Sequence, residues 1–181
     1  MKKIETALAG LFVLEPKVFE DERGFFFESF NAKNFETFGI PTVFVQDNIS
    51  RSKKNVLRGL HFQDPKPQAK LVRVSEGIVW DVAVDIRPKS KTFGQYVGIE
   101  LSSENKKMLF IPEGFAHGFC VLSDTADFHY KCTDFYSPKD EKGILWNDSD
   151  LNIAWPIKSP IVSSKDQVLI KFKDYKKNMS L

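Results

Sequence analysis

Apolar runs of strand length, each closed off by glycine, proline, asparagine, aspartate or serine, follow one another through most of the chain, at 25–30, 43–49, 56–62, 70–75, 78–86, 96–101, 108–111, 118–122 and 128–133. No helical rhythm alternates with them, and a parallel sheet needs such crossovers. The pattern therefore predicts an all-β domain, a sandwich or barrel of antiparallel strands. One helix interrupts it. In Asn31-Ala32-Lys33-Asn34-Phe35-Glu36-Thr37-Phe38-Gly39, Asn31 can cap the start, Phe35 and Phe38 recur three apart, and Gly39 can end the last turn.

With 181 residues, 42% of them hydrophobic, the chain is expected to form a single domain over 1–181, large enough to bury roughly 70% of its extended surface. Its 17 phenylalanines favour a thick aromatic core between two sheets or inside a barrel. Met1-Lys2-Lys3 before Ala7-Leu8-Ala9-Gly10-Leu11-Phe12-Val13-Leu14 has the outline of a signal peptide. Glu5 interrupts that outline, and Glu15-Pro16-Lys17 stands where a small-residue cleavage site belongs, so 7–14 reads as a first strand. A net charge of +2 with scattered basic residues lacks the stripe that nucleic acid would require. The cluster Lys171-Phe172-Lys173-Asp174-Tyr175-Lys176-Lys177 reads as a solvated end, and no stretch is long enough for a membrane span. Cys120 and Cys132 lie in apolar segments without metal spacing, as buried thiols in a reducing cytoplasm would. After Tyr136 the chain loosens into a loop region pinned by Trp146 and Trp155 rather than a second domain.

Chemistry concentrates in Val56-Leu57-Arg58-Gly59-Leu60-His61-Phe62-Gln63, an apolar run that carries a guanidinium and one of only three histidines. Strict alternation would send Arg58 and His61 to opposite faces. A bulge at Gly59 would bring them into one cavity, and the alternative is a core histidine beside a surface arginine. Arg23-Gly24 repeats the Arg-Gly pair, and two guanidinium forks suit a diphosphate. Phe26 and Glu28 share a face at strand spacing, while Gln46-Asp47-Asn48 puts three hydrogen-bonding side chains inside another predicted strand. Alternation places Lys70 with Val72 and Val74, which makes it a buried cation in want of an anion if that face is interior. The same rule turns Tyr130 inward and His129 outward, and an inward phenol is a proton donor at neutral pH. His117 is expected where a loop meets a strand, a place suited to ligand contact. With no His-x-His pair, a metal centre is not expected.

Phe19-Glu20-Asp21-Glu22-Arg23-Gly24-Phe25-Phe26, Phe44-Val45-Gln46-Asp47-Asn48, Leu57-Arg58-Gly59-Leu60-His61-Phe62-Gln63, Pro112-Glu113-Gly114-Phe115-Ala116-His117-Gly118-Phe119, Trp146-Asn147-Asp148 and Ser163-Ser164-Lys165-Asp166 occur in order. Together they resemble the dTDP-4-dehydrorhamnose 3,5-epimerase family, the dTDP-sugar isomerase group of the cupin superfamily. The resemblance implies a cupin-type jelly roll, a homodimer, no cofactor, and dTDP-4-dehydro-6-deoxy-glucose as substrate on the way to dTDP-L-rhamnose and polysaccharide such as O-antigen. It implies His61 as proton acceptor, Asp166 as the carboxylate holding that imidazole, Tyr130 as proton donor and Lys70 as the cation near the enolate oxygen. Arg23, Phe26, Glu28, Gln46, Asp47, Asn48, Arg58, His117, Glu141 and Lys165 would bind the nucleotide sugar, in part from the partner subunit, with Tyr136 stacked on thymine. Relatives that invert only carbon 3 or only carbon 5 share the same acid and base, and a cupin that binds a nucleotide sugar without turning it over is the reading from another class.

Overall fold

A computed structural model describes residues 1–179. Two antiparallel sheets face each other. The first runs in the order β1 (Lys2–Glu5), β2 (Phe12–Glu15), β10 (Met108–Ile111), β7 (Lys70–Glu76), β12 (Thr125–Cys132) and β5 (Gln46–Lys53). The second runs β13 (Glu141–Gly143), β6 (Val56–Gln63), β11 (Phe115–Val121), β8 (Ile78–Asp85) and β9 (Tyr96–Ser102), with β14 (Ile161–Val162) lying parallel to β6. A detached hairpin pairs β3 (Val18–Asp21) with β4 (Gly24–Phe27). The architecture is the all-β sandwich of antiparallel strands expected from the spacing of apolar runs, and the jelly roll that the family resemblance implies.

Alternation explains which side chains meet between the sheets. On β5 the odd residues Asp47 and Ile49 are exposed while Gln46, Asn48 and Ser50 are partly covered. Leu109, Val72, Val74 and Phe128 of the first sheet pack with Val79, Ala83, Phe119 and Val121 of the second in one apolar cluster. That cluster closes off the interior beneath the site.

The decisive local feature lies between β6 and β11. His117 pairs with His61 and Phe119 with Arg58, so two residues of β6 oppose one of β11. Gly59 makes this bulge possible. Its φ is +126°, and a side-chain carbon there would lie 2.5 Å from the Gly118 Cα and 2.8 Å from the His117 carbonyl oxygen. The bulge carries Arg58 and His61 to the lining of the same cavity, as the glycine predicted.

The helix predicted after Asn31 is α1 (Ala32–Thr37), where the Asn31 side chain accepts hydrogen bonds from the Lys33 and Asn34 backbone amides and Gly39 follows at φ +70°. Several expectations are corrected. The run 7–14 is not one strand. The Thr6 hydroxyl donates to the Leu8 and Leu11 carbonyls and folds the segment into a turn, with Gly10 at φ +88°, between β1 and β2. The strands expected at 25–30 and 43–49 are β4, which ends at Phe27, and β5, which begins at Gln46. The basic tail is not simply solvated either. It forms a second helix, α2 (Phe172–Met179), whose Phe172 is buried in the cluster around Val82, Val84 and Ile86 with Tyr175 packed beside it. Burying one such ring stabilises the docked helix by about 2 kcal/mol. Trp155 donates its indole N–H to the Trp146 carbonyl at 2.8 Å, and so ties the loop region together as expected. Cys120 and Cys132 are free and buried. Among the described residues no helix is long and apolar enough to cross a membrane.

Candidate active site

Two adjoining cavities, of about 440 and 280 Å³, open between the sheets and share His61, Lys70 and Tyr130 in their linings. His61 comes from β6 in the second sheet, whereas Lys70 and Tyr130 come from β7 and β12 in the first. An imidazole on one wall therefore faces a phenol and an ammonium on the other.

The Nε2 atom of His61 lies 2.7 Å from Oδ1 of Asp166. Asp166 opens a short 3-10 turn (Asp166–Val168) whose backbone is fixed by the Asp166 amide donating to the Ser163 hydroxyl oxygen at 3.1 Å. Its second oxygen accepts from the Gly59 amide at 3.2 Å, so the bulge that turns His61 inward also orients its carboxylate. Burial alone would raise the Asp166 carboxyl. The His61 hydrogen bond and charge, with the Gly59 amide and Ser163, outweigh it and hold the group below its ordinary value. With Nε2 engaged by a carboxylate, Nδ1 is the imidazole nitrogen left to accept a proton.

Burial drives the Tyr130 phenol above its ordinary value, which keeps it protonated at neutral pH. Lys70 is pushed down by burial, and among the described residues it has neither a hydrogen bond nor an ion pair. Asp81 and Glu141 act against that burial from a distance, and an amine that no carboxylate contacts is placed to meet negative charge on a ligand. Cys132, its cross-strand neighbour, is a thiol raised by burial and takes no charge from it at neutral pH.

At the larger cavity Arg58 donates from Nε to the Ser52 hydroxyl at 3.1 Å. The smaller cavity is polar, lined by Gln46, Asn48, Gln63, Gln68 and Glu141 among others. Tyr136 stands half exposed at its rim and donates its hydroxyl to Glu141 at 2.5 Å. Glu141 also pairs with Lys165; these two partners overcome the effect of burial and hold its carboxyl below the usual range. Gln63, which the sequence reading did not single out, accepts from the Ser137 amide and donates to the Phe135 carbonyl, so it fixes the loop that presents Tyr136.

His117 lies in the middle of β11 rather than at a loop junction, and is 7% exposed with Nε2 at 2.9 and 3.1 Å from the two oxygens of Asp81. Asp81 was also missed, although an acid inside Val79-Trp80-Asp81-Val82-Ala83-Val84 is a readable anomaly. His129 points outward as expected, bonded to Ser75 at 2.6 Å.

Four predicted residues lie outside the chamber of their own chain. Arg23 grips Asp21 within the detached hairpin, its side chain 86% exposed, and Phe26 beside it is 70% exposed. Glu28 follows the end of β4 instead of sharing a strand face with Phe26, and accepts from Asn31 and Asn34 at the start of α1. Asp47 alternates to the outer face of its strand and pairs with Lys131 at 2.6 Å. Among the described residues no three His, Cys, Asp or Glu side chains are grouped as metal ligands.

Facing antiparallel sheets around a chamber with an imidazole on one wall and a phenol and an amine on the other define a cupin-type jelly roll. The chain matches the family model for dTDP-4-dehydrorhamnose 3,5-epimerase over residues 5–174 and belongs to that family. It is 58% identical over 176 residues to the dTDP-4-dehydrorhamnose 3,5-epimerase of Shigella flexneri, covering 96% of this chain and 97% of the relative. The crystal structure of the enzyme of that name from Elizabethkingia anophelis superposes with a TM-score of 0.93 at 54% identity, over 97% of this chain and 98% of the other. A dTDP-6-deoxy-D-glucose-3,5-epimerase from Legionella pneumophila, solved in complex with dTDP-4-keto-L-rhamnose, gives a TM-score of 0.92 at 53% identity, over 95% and 93% of the two chains.

Proposed function

We propose that this chain is a 3,5-epimerase that inverts carbons 3 and 5 of dTDP-4-dehydro-6-deoxy-glucose, with His61 as base and Tyr130 as acid. The observation that carries the reading is the placement of these two groups on opposite sheets around one cavity, with Asp166 at 2.7 Å behind the imidazole. Carbons 3 and 5 both flank the 4-keto group. Loss of either proton to His61 Nδ1 moves the bonding pair into an enolate whose charge rests on the carbonyl oxygen. Lys70, unpaired and enclosed, is the group to meet that charge, and an oxyanion donor of this kind is worth roughly 2.7–4 kcal/mol. Return of a proton from Tyr130 to the opposite face of the same carbon restores the ketone with inverted configuration. Asp166 holds the imidazole in the reactive tautomer and stabilises the imidazolium.

Nucleotide binding is the role of the polar end. Tyr136 offers a half-exposed ring to the thymine, while Gln46, Asn48, Arg58, His117, Glu141 and Lys165 line the path of the diphosphate and sugar. Arg23, Phe26 and Glu28 contribute from a second copy of the chain, a reading supported by a hairpin that holds its guanidinium and rings out in solvent.

Incubation with the 4-keto sugar nucleotide in deuterated water, followed by NMR, tests the reaction. Label at carbons 3 and 5 is the expected result. Label at one carbon alone makes the protein a mono-epimerase, and label at neither leaves a nucleotide-sugar binder.

A further inference from the structure

The larger cavity differs from the smaller in one respect that the acid–base scheme does not use. Next to His117 it is walled by Phe119 and Phe128, whose rings stack with centroids 4.0 Å apart and planes within 14°. Phe128 is also 6.1 Å from the Tyr130 ring and 5.9 Å from that of His117. The two phenylalanines are 5% and 1% exposed, so their faces toward the cavity are part of a rigid aromatic wall.

On the proposed reading, carbon 5 must lie between His61 and Tyr130 when it reacts. Its methyl group is one bond away and must therefore touch whatever wall adjoins that pair. On the side of the smaller cavity that wall is made of amides and a carboxylate, Gln46, Asn48, Gln63, Gln68 and Glu141. On the other side Arg58, His117, Ser163 and Lys165 also line the cavity, and the Phe119–Phe128 stack is the aromatic part of that wall. An apolar methyl pressed against the amide wall would deprive those groups of water without giving them a partner, whereas the aromatic wall has no such group to strand. The geometry points to Phe119, backed by Phe128, as the seat of the C6 methyl group, which makes it the residue that positions carbon 5, as distinct from carbon 3, for proton exchange. The inference rests on the epimerase reading and adds to it a determinant of which carbon reacts.

A seat of this kind acts on one carbon more than the other, which a merely structural ring would not do. In deuterated water Phe119→Ala is expected to lower labelling at carbon 5 relative to carbon 3 by roughly 10-fold or more, the scale of a lost apolar contact in a specificity pocket. dTDP affinity should stay unchanged. Phe119→Leu, which restores apolar volume, should bring the ratio back toward that of the unaltered chain. A parallel measurement needs no substitution: the 6-hydroxy analogue of the substrate should label at carbon 5 more slowly, by on the order of 100-fold. An unchanged carbon-5 to carbon-3 ratio in a folded Phe119→Ala protein, or equal labelling of the two substrates, overturns the assignment while leaving the epimerase intact. If the unaltered chain labels neither carbon, both fall together.

Discussion

Two histidine–aspartate pairs stand within one bulge of each other and have opposite characters. In the first, His61 is 30% exposed at the side chain and Asp166 is 4% exposed; in the second, His117 is 8% exposed and Asp81 is entirely covered. The bond lengths hardly differ, at 2.7 and 2.9 Å. What differs is how each carboxylate arrives. Asp81 is two positions along β8 from the residue that pairs with His117, so the sheet register alone brings the two together. Asp166 arrives from 105 residues away on a short turn, and needs the Gly59 amide and Ser163 to hold it. The covered carboxylate of Asp81 holds the His117 imidazole fixed at the cavity wall. A pair open on one side can exchange a proton with whatever enters the chamber.

The contrast is broken most severely at His61. His61→Ala should reduce deuterium exchange at both carbons by ~10⁴-fold, the upper end of what general acid–base catalysis supplies. Isothermal titration should find dTDP affinity nearly unchanged, and exchange near the normal rate would remove His61 as the base. Asp166→Asn should cost less, ~10³-fold, because the imidazole stays in place with its tautomer no longer enforced; in a hydrolase triad the same change costs about 10⁴-fold. The kcat should fall with little change in KM. A variant in which KM alone rises would recast Asp166 as a substrate contact.

Asp81→Asn probes the sealed pair, where the expected loss is in stability instead of rate. Losing the buried hydrogen bond between carboxylate and imidazole typically costs about 1.5–3 kcal/mol, or roughly 3–12 °C in Tm for a chain of this size. Exchange per folded molecule should remain within ~10-fold of normal. If the melting point held while exchange collapsed, the second pair would belong to the proton path and the two would no longer be opposites.

The same contrast runs through what could be read from the sequence. Strand-length runs and their breakers place most of both sheets, because a period of two and a glycine or asparagine are local signals. Gly59 predicts its own bulge, and alternation sends Tyr130 and Lys70 inward and His129 outward. The turn at 7–10 is not legible in this way, since Leu8 is buried between exposed Ala7 and Ala9 as strand alternation would have it, and only the Thr6 hydroxyl bonds reveal the fold-back. In the tail, lysine density hides Phe172 and Tyr175, which sit three apart on one helical face and dock on the core. Asp81 carries a signal that was there to use, an acid in an apolar strand. Asp166 carries none locally, and only the ordered motifs of the family connect it to His61. Phe119 and Phe128 are lost among 17 phenylalanines until the cavity shows which rings face it.

The smallest expected effect separates charge from shape at the open pair. The folded state holds the Asp166 carboxyl below its ordinary value, so the native chain binds fewer protons than the unfolded one across that interval. The stabilisation is therefore complete above the unfolded carboxyl value of about 3.9 and disappears as pH falls through the lower folded one. Asn at this position keeps the shape without the charge. The melting difference between the unaltered chain and Asp166→Asn should be present at about pH 5 and close as pH drops below about 4. Its size should be about 1 kcal/mol, or ~2–4 °C, below the usual range for a hydrogen bond to a charged group because the chamber admits water. A gap that persisted unchanged into acid would mean that Asp166 contributes packing alone, and the ionised carboxylate behind His61 would lose its support.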